Sequence, residues 1–197
     1  MSNEWDEYAN NWDTDPTVEK YANNAFSELL QLINIDGLSV LDFGCGTGAL
    51  TKLMSPRVGN VVAIDPSTEM IKRLDKKELY NVSTISDYLS HDVIGYRPEF
   101  ENKFDLIVAS SVCSFLPDYE STLTLLRSLL KTDGVFVQWD WFDEDGTQGM
   151  GLSKERVERA FEANGFKNIN ITVPFVMNSS KGTMPVLMAV GKADNIF

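Results

Sequence analysis

The sequence is poor in the residues that build metal centres and disulfide frameworks, with two cysteines and one histidine in 197 residues. Cys45 and Cys113 are far apart and form no CxxC pair, so we expect reduced thiols and no zinc or other metal site around them or His91. No stretch approaches the roughly 18 consecutive apolar residues of a membrane span. The first residues lack the basic start and apolar run of a signal peptide, so we expect a cytoplasmic protein.

Basic residues are also scarce, since 17 lysines and arginines face 29 acidic residues, for a net charge of −12. The densest basic patch, residues 72–77, is interrupted by Asp75. Nucleic-acid phosphates and anionic membrane surfaces both require clustered basic residues. We therefore expect neither nucleic acid nor a membrane as a partner.

The length and the apolar fraction of 43% fit one domain with a sizeable core, covering residues 1–197. Residues 1–36 are acidic, aromatic and predicted to be helical, most clearly over 19–33. The core is predicted over 38–191, where apolar strand patterns alternate with helices as in a parallel sheet covered on both faces. The predicted strands are 39–43, 60–64, 82–85, 104–110, 135–139, 168–173 and 184–191. The predicted helices are 49–55, 67–78, 118–130 and 153–164.

A glycine-rich turn follows the first strand, with Gly44, Gly46 and Gly48 at alternate positions. Glycine permits positive φ and close approach to a ligand. Free N–H groups at the following helix start favour a polar or negative ligand group. The spacing also fits a dinucleotide turn. Asp42, at the end of the strand, would repel a pyrophosphate but would suit an ammonium group, so it disfavours a dinucleotide.

The segment Asp42-x-Gly44-x-Gly46-x-Gly48 resembles motif I of the class I S-adenosylmethionine (SAM)-dependent methyltransferases. Further segments resemble that family in the same order, notably 104–112 and 129–137. The resemblance implies a Rossmann-like, seven-stranded, mostly parallel sheet with helices on both faces and an antiparallel last strand. The absence of a helical pattern over 174–183, which we interpret as a loop, fits that ending.

The resemblance also implies a SAM site, with S-adenosylhomocysteine as the product. Asp65, which ends the second strand, would accept both ribose hydroxyls, or would only favour the start of the next helix. Asp87 would accept from the adenine amine, or would form an ordinary turn. The predicted cofactor-binding residues are Trp12, Asp42, Gly44, Cys45, Gly46, Gly48, Asp65, Pro66, Met70, Ser86, Asp87, Tyr88, Ala109 and Ser110.

The N-terminal segment Trp5-x-x-Tyr8-Ala9-x-x-Trp12-Asp13 resembles the part of small-molecule methyltransferases that closes over the cofactor. Aromatic faces suit a sulfonium through cation–π attraction, although such a helix also packs well on a core. Residues 138–142 leave the fifth strand on the side of the sheet where the cofactor is expected. The predicted acceptor-binding residues are Tyr8, Tyr21, Trp139 and Asp140.

These features predict methyl transfer from SAM to a small-molecule acceptor by in-line displacement, in a monomer or a homodimer. Ser114 and Phe115 stand where many relatives have a histidine pair, and no residue is an obvious base among Asp140, His91 and Tyr8. The catalytic residues and the acceptor therefore stay unassigned. One alternative is a non-catalytic SAM-binding sensor or partner subunit. An NAD(P)-dependent oxidoreductase is a further alternative, which would have a parallel final strand and no Asp42.

Overall fold

The structure is a computed structural model that describes residues 4–145, 151–179 and 182–194. The chain divides into two compact units, Met1–Lys103 and Phe104–Phe197. The first unit contains the helices α1 Glu4–Trp12, α2 Pro16–Leu32, α3 Ala49–Met54, α4 Thr68–Asp75 and α5 His91–Tyr96, the strands β1 Ser39–Phe43, β2 Asn60–Asp65 and β3 Val82–Ser86, and a 3₁₀ turn at Pro98–Phe100. The second contains β4 Phe104–Ser110, a 3₁₀ turn at Cys113–Phe115, α6 Tyr119–Leu129, β5 Leu130–Trp141, α7 Lys154–Ala163, β6 Phe166–Ser179 and β7 Gly182–Ala193.

The strands of the first unit are parallel and lie in the order β3-β2-β1. Their register pairs Asp42 with Ala63 and Phe43 with Ile64. Because parallel strands end at the same edge, the turn after β1 lies beside the end of β2. The glycine turn and Asp65 therefore belong to one edge of this part of the sheet.

The helix after β2 begins where the sequence predicts. The Ser67 hydroxyl accepts a hydrogen bond from the Met70 N–H at 3.2 Å, which satisfies one of the free amides at the start of α4. Helix α4 ends at Asp75, earlier than the predicted residue 78. Glu78 has a φ of 48°, a left-handed conformation that an α-helix does not continue through.

The strands of the second unit lie in the order β4-β5-β7-β6, with β4 parallel to β5 and β7 antiparallel to both of its neighbours. The predicted antiparallel last strand is therefore confirmed. The seven strands of the two units, five of them in parallel pairings, give the Rossmann-like fold that the sequence indicates. None of the helices in the described part of the chain is long and apolar enough to cross a membrane.

A cluster of three phenylalanines fixes the packing around β5 and α7. The rings of Phe161 and Phe166 lie 4.9 Å apart, and Phe136 lies 5.6 and 5.8 Å from them. Gly191 on β7 leaves room for this cluster, because a Cβ atom there would lie 2.8 Å from Phe161 Cδ1. This cluster orients β5, which carries the side chains discussed below.

Besides the end of α4, three local predictions differ from the structure. The region 174–183 is not a loop, because residues 174–179 continue β6 and Gly182 begins β7; residues 180–181 lie outside the described part. Strand β5 begins at Leu130 rather than at residue 135. His91 and Asp92 lie outside every predicted helix but begin α5, because the Ser90 hydroxyl caps that helix by accepting from the Val93 N–H.

Candidate functional site

The carboxyl group of Asp42 at the end of β1 is buried and faces the next helix. It accepts a hydrogen bond from the Thr51 hydroxyl of α3, and Asp42 is only 1% exposed. Burial raises the pKa of Asp42 to about 7, and the nearby charge of Asp65 adds to that effect. At neutral pH Asp42 therefore carries only part of a negative charge, which weakens the electrostatic argument that the sequence suggested for it.

The glycine turn uses several of its own amides internally. The N–H groups of Gly44 and Cys45 both donate to the Ile64 carbonyl, at 2.8 and 3.1 Å. The Gly48 N–H donates to the Cys45 carbonyl at 2.9 Å. These three amides precede the start of α3, to which the prediction of free N–H groups applies, and they are used within the protein. The half-buried Cys45 thiol also points to a local partner, the Gly46 carbonyl oxygen at 3.6 Å.

The backbone of the turn requires glycine for two different reasons. Gly44, Gly46 and Gly48 have φ values of 68°, 54° and 81°, which favour glycine in each case. At Gly48 a Cβ atom would also lie 2.3 Å from Leu74 Cδ1. Gly48 is therefore required by packing against α4, whatever the turn binds.

Asp65 is the carboxylate that the turn surrounds. Its Oδ2 accepts from the Gly46 N–H at 2.9 Å, and its Oδ1 accepts from the Ser67 N–H at 2.8 Å. Burial raises the pKa of Asp65, and these two hydrogen bonds oppose that effect. Each oxygen accepts one of these two hydrogen bonds and keeps a second lone pair, so the group is oriented to accept two further donors side by side.

Helix α1 lies on these same residues. Asp6 Oδ1 accepts from the Ser67 hydroxyl at 2.6 Å, and Asp13 Oδ1 accepts from the Thr47 hydroxyl at 2.6 Å. The Trp12 indole nitrogen is 3.7 Å from the place that a Gly46 Cβ would occupy. The segment from Asp6 to Asp13 thus covers the glycine turn, with a hydrogen bond at each end of the segment.

The aromatic side chains of the N-terminal region separate into two environments. Trp5 contacts Tyr8 and Trp12, with ring centroids 5.7 and 6.4 Å apart, on one face of α1. Tyr8 is exposed, whereas Tyr21 on α2 is only 7% exposed. The prediction that Tyr21 contacts the acceptor is therefore not supported, because its side chain belongs to the core.

The predicted adenine-binding residues are only partly open. Met70 is 2% exposed, so it is a core residue rather than an open wall, while Pro66 is half-buried. Asp87 accepts from the Tyr96 hydroxyl at 3.0 Å and from the Tyr88 N–H at 2.8 Å. The contact with Tyr96 comes from α5, which sequence patterns did not indicate. Ser86 pairs with the Thr68 hydroxyl at 2.9 Å.

In the second unit the ends of β4 and β5 are paired in register. Ala109 is fully buried beside Gln138, and the half-buried Ser110 lies beside Trp139. The Ser111 N–H then donates to the Trp139 carbonyl at 2.7 Å. The chain leaves β4 while still attached to β5.

Trp139 and Asp140, both predicted to contact the acceptor, have no exposed surface. The Trp139 indole N–H is buried without a hydrogen-bond partner among the described residues. Asp140 accepts from the Ser114 N–H and from Gln138, which itself accepts from the Tyr119 hydroxyl. The structure therefore assigns Asp140 to a buried polar network that the sequence did not reveal, and does not place either side chain on an open surface.

A cavity of about 290 Å³ lies next to the end of β5. Its wall combines two aromatic residues that the sequence predicted for the acceptor side with acidic and apolar ones. The lining residues are Trp141, Phe142, Asp143, Glu144, Asp145, Gly151, Thr183, Met184 and Pro185. No group of metal-ligating side chains forms anywhere in residues 4–145, 151–179 and 182–194.

Comparisons with known proteins agree with this fold. The chain is 32% identical over 129 residues to malonyl-(acyl-carrier protein) O-methyltransferase of Acetivibrio thermocellus, covering 64% of this chain and 44% of that protein. It is 33% identical over 106 residues to a ubiquinone biosynthesis O-methyltransferase of Actinobacillus pleuropneumoniae, covering 50% and 44%. The chain thus spans less than half the length of these relatives.

A solved complex of DhpI with SAH has the same fold, with a TM-score of 0.74 and 22% identity over 98% of this chain and 94% of that one. Residues 18–146, more than half of the chain, match the family described as methyltransferase domain. That segment contains both the glycine turn and the buried network of β5. The resemblance to class I methyltransferases is thereby confirmed, and the chain belongs to the methyltransferase domain family.

Proposed function

We propose that the protein binds SAM on the glycine turn and transfers its methyl group to a small-molecule acceptor. The observation that carries this proposal is the geometry of Asp65. Two backbone amides orient its carboxylate, and each oxygen keeps a lone pair for one of two adjacent hydroxyls. Adjacent hydroxyls are what the ribose of SAM offers, and charge-assisted hydrogen bonds to them are strong.

In this proposal the residues of the first unit bind and cover the adenosine. Asp65 takes the ribose, the Gly44–Gly48 turn allows close approach, and Trp12 lies above Gly46. The adenine contacts of Asp87, Tyr88 and Pro66 and the methionine contacts of Ala109 and Ser110 stay predictions. A direct contact of Asp42 with the cofactor also stays a prediction, because the Asp42 carboxyl group is buried against Thr51.

SAM supplies a methyl carbon that its sulfonium charge has already activated. The acceptor's lone pair forms a bond to that carbon as the carbon–sulfur bond breaks, and S-adenosylhomocysteine leaves. The protein aligns the two reactants and excludes water, and such alignment contributes roughly 7–11 kcal/mol in favourable cases. An acceptor that is already deprotonated requires no base.

The relatives' names place oxygen acceptors first in a screen. The lining of the cavity beside β5 also bears on the choice of acceptors. Trp141 and Phe142 supply aromatic rings to it, and Glu144 supplies a carboxyl group. Aromatic faces and carboxylates favour phenols and amines over carboxylic acids. A screen with methyl-labelled SAM should therefore include phenols, amines and carboxylic acids, with product formation as the readout.

Calorimetry with SAM, S-adenosylhomocysteine and NAD tests the cofactor directly. We expect micromolar binding of the first two, no binding of NAD, and about 100-fold weaker binding for Asp65→Ala, because two hydrogen bonds to a carboxylate are lost. Asp36→Ala is the matched control, since its exposed ion pair with Arg57 is worth little. Binding of NAD without SAM would show that the proposal is wrong and would favour an oxidoreductase.

Turnover separates an enzyme from a sensor that only binds SAM. If the wild-type protein binds SAM but methylates nothing in the three acceptor classes, the non-catalytic alternative is favoured. NAD(P) chemistry is already disfavoured by β7, which is antiparallel to β5. A parallel final strand is what that alternative predicts.

A further inference from the structure

Asp140 is a fully buried acid for which the proposed transfer has no direct use. Its Oδ1 accepts from the Ser114 N–H at 3.0 Å, and its Oδ2 accepts from Gln138 Nε2 at 3.2 Å. The side chains of Cys113 and Ser114 and the Cys113 backbone also lie close to the same carboxyl and stabilise its charged form. A carboxylate that receives donors from three residues holds those residues in fixed relative positions.

The network continues from Asp140 into α6. The Tyr119 hydroxyl donates to Gln138 Oε1 at 2.8 Å, which fixes the Gln138 amide with its NH₂ group toward Asp140. The Arg156 guanidinium of α7 lies 5.5 Å from the centre of the Tyr119 ring. Arg156 is also paired with Glu120.

The segment held by this network is strained. Ser111 has a φ of 60°, a conformation that a residue with a side chain adopts only where its surroundings impose it. Two hydrogen bonds impose it from β5, one from the Ser111 N–H to the Trp139 carbonyl and one from the Ser114 N–H to Asp140. Residues 111–114 are thus held at the carboxyl ends of β4 and β5, directly after Ser110.

We propose that Asp140 is a positioning residue of the methyl transfer, whose carboxylate holds residues 111–114 in the conformation that the reaction requires. This inference rests on the proposed function and on the prediction that Ser110, directly before this segment, contacts the methionine part of SAM. Ligands of parallel sheets bind beyond the carboxyl ends of the strands, which is where this segment begins. Asp140 itself acts through the Ser114 N–H and touches no reactant.

The network has two states that differ by one proton. Burial raises the pKa of Asp140 to about 7, against the lowering effect of its hydrogen bonds. Ionised Asp140 accepts from donors of all three residues. Protonated Asp140 carries a hydrogen that needs an acceptor, which the Ser114 or Cys113 side chain or a turned Gln138 amide would provide, so the set of hydrogen bonds changes. Cys113 and Tyr119 face Asp140 from their own elements and, since burial raises the pKa of both, stay protonated across this range.

Nuclear magnetic resonance of the whole protein tests the network without an acceptor. We expect the ¹⁵N shift of the Ser114 amide to titrate with a midpoint near pH 7, and to lose that transition in Asp140→Asn. Asp133→Asn is the matched control, since Asp133 is exposed on the same strand and asparagine tolerates its φ of 63°. A Ser114 amide that shows no transition near pH 7 in the wild-type protein would overturn the inference.

Kinetics with an acceptor found in the screen test the positioning role. Asp140→Asn should lower kcat about 10- to 100-fold, because misalignment of this size has such effects, with the Kd for SAM changed less than about twofold. The wild-type kcat should rise through pH 7, and Asp140→Asn should lose that rise. Unchanged kcat and pH profile in Asp140→Asn would show that the inference is wrong while the proposed function stands.

If Asp140→Asn does not fold, Tyr119→Phe provides a second test of the network. It removes only the hydroxyl that orients Gln138, so ionised Asp140 loses support and the midpoint of the Ser114 titration should move to higher pH. A midpoint that stays in place would contradict the network. Failure of the wild-type protein to bind SAM would instead reject the proposed function, which separates the two failures.

Discussion

Two buried carboxyl groups, Asp42 at the end of β1 and Asp140 near the end of β5, reach the same pKa of about 7 by different routes. In the described part of the chain, Asp42 is supported by one residue, Thr51, and is also raised by the charge of Asp65. Asp140 is supported by three residues, of which Ser114 donates its backbone N–H. Burial therefore raises the pKa of both carboxyl groups. The neighbouring residues determine which hydrogen bonds change when each group is protonated.

The difference indicates what each group is sensitive to. Asp42 shares its surroundings with the carboxylate that we propose binds the ribose, so its protonation should respond to a ligand on the glycine turn. Asp140 shares its surroundings with a strained backbone segment, so its protonation should respond to, and alter, local conformation. The protonation of Asp42 is thus linked to ligand binding, and the protonation of Asp140 is linked to backbone conformation.

The largest expected effect is the dependence of stability on pH. Unfolded aspartates ionise near pH 4, whereas folded Asp42 and Asp140 stay protonated up to about pH 7. The folded state therefore binds more protons between pH 4 and 7, and the free energy of unfolding should fall as pH rises through that range. Each carboxyl contributes up to about 4 kcal/mol to this fall.

Urea denaturation at several pH values measures this effect for each group. Asp42→Asn and Asp140→Asn should each remove part of the fall, and the double variant should remove more than either one. Asp133→Asn, on the exposed part of β5, should keep the wild-type dependence. If one single variant keeps the wild-type pH dependence of the free energy of unfolding, the carboxyl group that it removes ionises near the usual pKa of aspartate. The two carboxyl groups would then not be alike.

A smaller effect distinguishes one supporting residue from three. At pH 8, Thr51→Val should cost about 2 kcal/mol, because an ionised buried carboxylate loses its hydroxyl donor. Cys113→Ala should cost about 1 kcal/mol, because two other donors stay on Asp140. Denaturation of both variants gives the comparison, with Cys113→Ser as the control that keeps a donor. Equal costs would show that the number of donors does not matter.

The smallest expected effect compares the turn after β1 with the one after β4. Gly46→Ala should cost about 1 kcal/mol, since φ is 54° there. Ser111→Gly should change the free energy of unfolding by less than about 1 kcal/mol, because relief at a φ of 60° offsets the added freedom of the unfolded chain. Thermal unfolding measures both. A large loss in Ser111→Gly would indicate that its side chain has a structural role.

Much of the fold follows from local sequence. Strands β1 and β4 have the predicted bounds, because continuous apolar runs lead into a turn in both. Ser67 and Ser153, at which helices are predicted to begin, cap α4 and α7, since a cap depends on residues only three positions away. The positive φ values of the glycine turn and the place of Asp65 at the end of β2 likewise follow from local sequence, whereas the binding of SAM by these residues stays a prediction.

The parts that sequence did not show depend on partners far along the chain. Asp6 bonds to Ser67, which is 61 residues away, and Tyr119 reaches Gln138 from another element. No local pattern specifies such pairs. The burial of Trp139 has the same origin, because alternation along a strand indicates two faces but not what covers each one.

Gly48 has one further consequence, which concerns the history of such chains. Its missing side chain leaves space for Leu74, and its φ of 81° suits glycine, so both demands come from folding. A homologue that had lost its cofactor would still be selected to keep this glycine, because its place beside Leu74 does not depend on a ligand. Retention of the glycine in a homologous sequence is therefore no evidence that the homologue still binds a cofactor.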